Sequence, residues 1–192
     1  MKLQKNKSYL LNFARRQGKT TNLINLATKN AKANPSSVSL ILTPYKPLGQ
    51  ELYSQLLSKL DNKIDYQQAN TIKLKNGSKI LCKGLSTDIN SFRGLSISYI
   101  YVDNLLEITE DIRNLLTTLQ VYSPDAKVVI TTNTEVCNLS DFTSLFLVKN
   151  FELIIKPLVL KEGDCKRQLE ADLSPEGLRS EITLGLDYGI FK

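Results

Sequence analysis

Apolar and polar stretches alternate along the chain in a way that separates strand-length runs from helical ones. "SYLLNF" (8–13) is an apolar run of strand length, and after the polar "ARRQGKT" the segment "TNLINLATKNAKAN" repeats Leu23, Ile24 and Ala27 at helical spacing. "SSVSLILT" (36–43) is a second buried strand closed by "PYKP", and Leu48, Leu52, Leu56, Leu57 and Leu60 mark a second amphipathic helix. Strand, helix, strand, helix in this order predicts an α/β fold with a mainly parallel central sheet flanked by helices. "TIKLKNGSKILCKG" (71–84) changes to short alternating runs around Asn76-Gly77, the dipeptide of a tight hairpin turn, and predicts an antiparallel β-hairpin insertion. "SISYIYVDN" (96–104) and "AKVVITTN" (126–133) predict two further core strands, with a helix over 107–120 between them that begins in acids. Further on, "LSDFTSLFLV" predicts a short helix, "FELIIKPLVL" (151–160) a strand and "DCKRQLEADL" a last helix before Pro175 and Gly177.

Composition narrows the chemistry. The 192 residues are 42% hydrophobic and 23% charged, which suits a globular domain with a sizeable core. No run has the length of a membrane span, the N-terminal apolar stretch is too short for a signal peptide, and a cytoplasmic location is expected. Cys82, Cys137 and Cys165 are far apart and never in a CxxC pair, so buried free thiols are expected. The absence of histidine removes histidine-dependent triads and imidazole acid-base catalysis. The net charge of +6 is uneven: residues 1–50 hold nine Lys or Arg and no acid, and the remainder holds 16 basic against 19 acidic residues. A strongly cationic end is either a solvated surface or a face for phosphates.

"NFARRQGKTTNLI" (12–24) favours phosphates. A strand that turns through Gly18 into a helix leaves backbone N–H groups and the positive helix end aimed at one point, with the Lys19 ammonium beside them. Thr20 stands where a magnesium ion on the β and γ phosphates takes a hydroxyl ligand. The stretch matches the end of the P-loop pattern GxxxxGK[ST], with Phe13 in place of its first glycine, and a basic helix cap is the alternative reading of the turn by itself. A P-loop NTPase also needs an apolar strand that ends in a metal-binding acid, and "ISYIYVDN" supplies one at Asp103. By itself Asp103 also reads as a strand-end or helix-capping aspartate.

With these elements in order, the chain resembles the ATPase domain of the large terminase subunit, the motor that packages DNA into tailed-phage capsids. The similar motifs are the deviant Walker A segment "ARRQGKTT", the hairpin "IKLKNGSKI", "SFRGLSISYIYVDN" leading into Walker B, and the hydroxyl-rich "VVITTNTE". The resemblance implies that ATP is held by the turn from Ala14 through Arg15, Arg16, Gln17, Gly18, Lys19 and Thr20 to Thr21, and that Mg2+ is held by Thr20 and Asp103. It places Arg15 at the transferring phosphate, a job Arg16 is equally able to do, and Thr131, Thr132 and Asn133 at the position that couples hydrolysis to movement. It further implies double-stranded DNA, a portal or capsid vertex and a small terminase subunit as partners, a homo-oligomeric ring when active, no membrane, and the cytoplasm of a bacterial host.

Asn104 departs from the pattern, because the family usually has a second acid there to orient the attacking water. An amide hydrogen-bonds water but does not accept its proton, so slow hydrolysis is expected. Glu107 reads either as a substitute catalytic acid or as a helix N-terminal acid. Residues 1–173 are expected to form the ATPase domain and 174–192 a linker or tail, in which "ITLGLDYGIFK" resembles the first strand of the family's nuclease, with Asp187 at its first metal-binding aspartate. Two other functions fit: a helicase-type motor domain, since "ILTPYKPLGQEL" resembles a helicase strand-loop-helix, and a nucleotide-binding switch or assembly module with little hydrolysis, for which Asn104 speaks. DNA affinity is expected to reside in lysines such as Lys2, Lys5 and Lys7 and to fall steeply with salt.

Overall fold

Apolar runs become strands buried on both faces, and the helical repeats become helices that cover them. The computed structural model describes residues 8–14 and 17–133 in full and residues 151–156 as backbone. In chain order the elements are β1 (Ser8–Phe13), α1 (Lys19–Ala33), β2 (Val38–Thr43), α2 (Lys46–Leu60), β3 (Ile64–Gln68), β4 (Thr71–Leu74) and β5 (Lys79–Gly84). They continue with β6 (Tyr99–Val102), α3 (Glu110–Tyr122), β7 (Lys127–Thr132) and β8 (Phe151–Lys156). The sheet runs in the order β3-β4-β5-β2-β6-β7-β1-β8. All its pairs are parallel except β3 with β4 and β4 with β5.

Because successive strand residues point to opposite faces, each central strand feeds two cores. On one face Tyr9, Leu11, Phe13, Ile41, Tyr101 and Val129 pack under Leu23, Ile24 and Ala27 of α1 and Leu52 and Leu56 of α2. On the other, Leu10, Leu40, Leu42, Ile100, Val102, Val128 and Ile130 pack against Leu115, Leu116 and Leu119 of α3 and against Phe92 and Ile97. The crossover through α1 leaves β1, passes over β7 and β6, and returns in β2. The carboxyl ends of β1, β6 and β7 therefore lie side by side on one sheet edge, the place where open parallel sheets bind ligands.

Some expectations are met and others corrected. The hairpin around Asn76-Gly77 forms as expected, an antiparallel pair with Gly77 at φ 83 set into an otherwise mainly parallel sheet, and β5 also pairs parallel with β2 along its whole length. Its turn also caps α1, whose last carbonyls lack partners within the helix. Asn76 Nδ2 and Ser78 Oγ donate to the Ala31 carbonyl at 2.8 and 2.9 Å. β3 was not anticipated, since "IDYQQ" is a largely exposed edge strand without apolar alternation. It joins β4 through Ala69 and Asn70, both at positive φ as a two-residue hairpin turn requires. β6 begins at Tyr99, later than 96, and α3 begins at Glu110 because the Thr109 hydroxyl accepts the Ile112 N–H and fixes the helix start there. The helices expected after residue 133, the last part of the strand expected over 151–160, the tail with Asp187, and Cys137 and Cys165 lie outside the described residues. Cys82 is a buried free thiol whose pKa burial pushes up to about 12.

Candidate active site

The site begins with the turn between β1 and α1. Buried Ala14 ends the strand, and its carbonyl accepts the Gln17 N–H at 3.4 Å. Gly18 then adopts φ 75, a left-handed conformation that glycine takes without strain, and forms the N-cap of α1. No side chain caps this helix and its first turn holds no acid, so the leading N–H groups and the positive helix end remain available to an anion. Asn22 braces the turn by donating from Nδ2 to the Gly18 carbonyl at 2.8 Å. Sequence reasoning missed Asn22, because an asparagine in a first helical turn has no signature of its own. Lys19 Nζ donates to the Phe13 carbonyl at 3.1 Å, which lays its ammonium along the turn. Arg15 and Arg16 lie outside the described residues. Thr21 is exposed on the outer side of α1.

Across the sheet, β6 delivers Asp103 to the same edge, and the residue is 0% exposed. Thr20 Oγ1 donates to Asp103 Oδ2 at 2.9 Å, and Thr131 Oγ1 donates to Asp103 Oδ1 at 2.8 Å. Three separate segments thus meet on one carboxylate. Burial pushes the Asp103 pKa up, and the Thr131 and Thr20 hydroxyls, the Lys19 charge and the Asn104 N–H oppose that rise.

Thr131 holds the turn after β6 as well, accepting the Asn104 N–H on its hydroxyl at 2.8 Å and the Leu105 N–H on its carbonyl at 2.8 Å. Asn104 sits at φ 52, in the left-handed region that asparagine tolerates better than most residues. Of the three residues expected to couple, Thr131 alone reaches the aspartate; Thr132 is buried on the other face of β7 by strand alternation, and Asn133 is buried just beyond the strand. Glu107 is exposed and precedes the Thr109 cap, which corrects its reading as a helix N-terminal acid; Glu110 and Asp111 occupy that first turn.

The two oxygens suit magnesium. Adjacent vertices of an octahedron with ligands about 2.05 Å from the metal are about 2.9 Å apart, the separation of Thr20 Oγ1 and Asp103 Oδ2. Among the described residues no three acidic or cysteine side chains cluster as a complete metal cage, so phosphate oxygens and water would fill the remaining positions. At the opposite end of α1, exposed Lys32, Lys63 and Lys75 with Asn62 and Asn76 line an open cleft of about 510 Å3. Among the described residues no helix is long and apolar enough to cross a membrane.

The fold has close counterparts. The Thermus phage P74-26 large terminase ATPase domain superposes with a TM-score of 0.65 at 14% identity, covering 93% of this chain and 88% of that one. The large terminase of a thermophilic bacteriophage, in complex with ADP, gives 0.63 at 14% identity, covering 88% of this chain and 46% of the other, so the chain spans about half that protein's length. The Hef helicase domain of Pyrococcus furiosus gives 0.57 at 13% identity over 78% of this chain and 35% of that one, so the architecture by itself does not separate packaging motors from helicases. No curated protein matches. The sequence profile of the family described as terminase large subunit, T4likevirus-type, N-terminal, matches residues 10–176. That span runs from β1 past β8, and the chain belongs to this family of terminase large subunits.

Proposed function

We propose that this terminase domain binds ATP with Mg2+ at the turn between β1 and α1 and hydrolyses it to drive DNA packaging. The observation that carries the reading is the 2.9 Å contact between Thr20 and Asp103, which joins the phosphate-binding turn to the end of β6. In this reading the α1 N-terminus and Lys19 hold the phosphates, Thr20 and Asp103 hold the metal, and Arg15 or Arg16 neutralises charge on the transferring phosphate. Held there, Mg2+ would supply positive charge that polarises the phosphates. Asn104 orients water, and Thr131, which ties Asp103 to β7, forms the coupling position with Thr132 and Asn133. The ADP complex of the thermophilic phage terminase, a protein of the same fold, supports a nucleotide as the ligand.

Lys19→Ala tests the site. The substitution removes a charged contact worth about 1.5 to 3 kcal/mol, so ATP should raise the melting temperature of the parent and much less that of the variant. Equal shifts in both proteins would refute the assignment.

The partners follow the same reading: double-stranded DNA, a portal or capsid vertex, a small terminase subunit and further copies in a ring, in the host cytoplasm. The ATPase domain is taken as residues 1–173 and the tail as 174–192. For DNA, Lys2, Lys5 and Lys7 lie outside the described residues, and the cleft of Lys32, Lys63 and Lys75 adds a second cationic surface. The logarithm of DNA affinity should fall linearly with log salt, and each contacting lysine replaced should reduce the slope by about 0.9. Salt-independent or strongly sequence-selective binding would count against translocation. Asn104 also favours a second reading, a nucleotide switch with little turnover.

A further inference from the structure

Thr20 ties α1 to Asp103 at the end of β6, and a second polar tie between the same two elements lies away from that site. The second is inside the core, where Asn30 Nδ2 donates to the Tyr101 phenol oxygen at 2.8 Å. Asn30 is 2% and Tyr101 0% exposed. Asn30 stands about three turns along the helix from Lys19. Tyr101 stands two residues before Asp103, on the same face of β6.

Between the two ties, α1 meets the sheet through Leu23, Ile24 and Ala27. The hydrophobic attraction behind such contacts is non-directional. A hydrogen bond is directional, and two of them on one helix and one strand fix both slide and roll. The inner tie is also costly: among the described residues Asn30 Oδ1 is buried with no hydrogen-bond partner, a penalty that a leucine facing a phenylalanine would not incur. Tyr99 stacks on Tyr101 with ring centroids 6.2 Å apart and planes 20° from parallel, which holds the phenol at one point. Packing does not require this arrangement, whereas precise placement of α1 on β6 does.

We propose that Asn30 and Tyr101 are positioning residues for the metal-dependent step, setting α1 on β6 so that the Thr20 hydroxyl stands opposite the Asp103 carboxylate. Neither touches the nucleotide, and the inference rests on the nucleotide reading above. It separates two quantities that a merely structural role would move together. The phosphate cradle belongs to the β1–α1 turn and moves with the helix, so ATP binding without metal does not need the inner tie. The tightening that Mg2+ adds needs α1 and β6 in register.

The test measures ATP affinity of the full chain in EDTA and in Mg2+, together with the melting temperature. In Tyr101→Phe, affinity in EDTA should stay within about twofold of the parent while the Mg2+-dependent tightening falls by about tenfold, the scale typical of groups that orient metal ligands. Asn30→Leu should behave alike, and it provides the reading if Tyr101→Phe is too unstable to assay. The double variant, with both polar partners gone, should recover melting temperature without recovering the Mg2+ response. An unchanged Mg2+ response in Tyr101→Phe overturns the proposal, as does equal weakening in both buffers, or a double variant that regains stability and Mg2+ response together. A parent that binds no ATP in either buffer overturns the nucleotide site itself, and the positioning role with it.

Discussion

Asp103→Asn is expected to leave a folded protein that still binds ATP but turns it over roughly a hundredfold to a thousandfold more slowly in Mg2+, the scale of losing one preorganised electrostatic group at a reacting centre. The amide keeps the shape of the carboxylate. It loses the negative charge that draws the metal to the Thr20 hydroxyl 2.9 Å away. The same substitution should raise stability in metal-free buffer. Burial lifts the Asp103 pKa, so between the unfolded and the folded pKa the folded state binds more of the proton than the unfolded chain does. For a raised acid, stability is fully present below the unfolded pKa and is lost as pH rises through the folded one. The advantage of Asp103→Asn should therefore be greatest at neutral pH and close as acid protonates the parent. Chemical denaturation in EDTA at neutral and acidic pH, beside a steady-state turnover assay, checks both halves. A variant that turns over normally, or is less stable than the parent at neutral pH, would contradict the account.

Asn104→Glu is expected to accelerate ATP turnover by about a hundredfold, the lower range of what a positioned general base supplies. ATP affinity should scarcely change, because the substitution leaves in place Thr20 and Asp103, the metal holders of the proposed reading. The backbone adds a second expectation. Asn104 sits at φ 52, and a glutamate held there costs roughly 1 to 2 kcal/mol, so the faster enzyme should also be the less stable one. Glu107→Gln is the control and should be silent, since Glu107 is exposed and lies outside the helix that Thr109 caps. If Glu107→Gln abolishes turnover instead, Glu107 is the acid and Asn104 serves the turn. If Asn104→Glu changes nothing in the isolated chain, the base is to be sought on a neighbouring copy.

What the sequence disclosed, and what it hid, follows from range. Ser8–Phe13, Val38–Thr43 and Lys127–Thr132 were legible because strands buried on both faces read as unbroken apolar runs. Lys19, Thr20 and Asp103 stood out because a glycine-lysine turn and a strand-end acid are local patterns, and the fold brings Thr20 to within 2.9 Å of Asp103. Asn104 was legible as a chemical departure, but its left-handed backbone was not, since φ there depends on the hold of Thr131, 27 residues on. The hairpin was legible from Asn76-Gly77, yet its place in the main sheet depends on β2, which no local spacing encodes. Ile64–Gln68 carries no alternation because an exposed edge strand needs none. Asn30 and Tyr101 lie 71 residues apart, and separately they look like a helix-surface amide and an ordinary core aromatic.

The sheet order has a consequence for synthesis on the ribosome. Among the described strands β1 is made first, yet both of its neighbours are made late: Tyr9 pairs with Val129 and Ser8 with Phe151. Pairings this distant in sequence are slow to form. A nascent chain that has not reached β7 carries Lys19, Thr20 and Asp103 without the strand that spaces β1 from β6 and without Thr131 on the carboxylate. On the proposed reading, the joining of the phosphate turn to Asp103 is therefore complete only once β7 has been made.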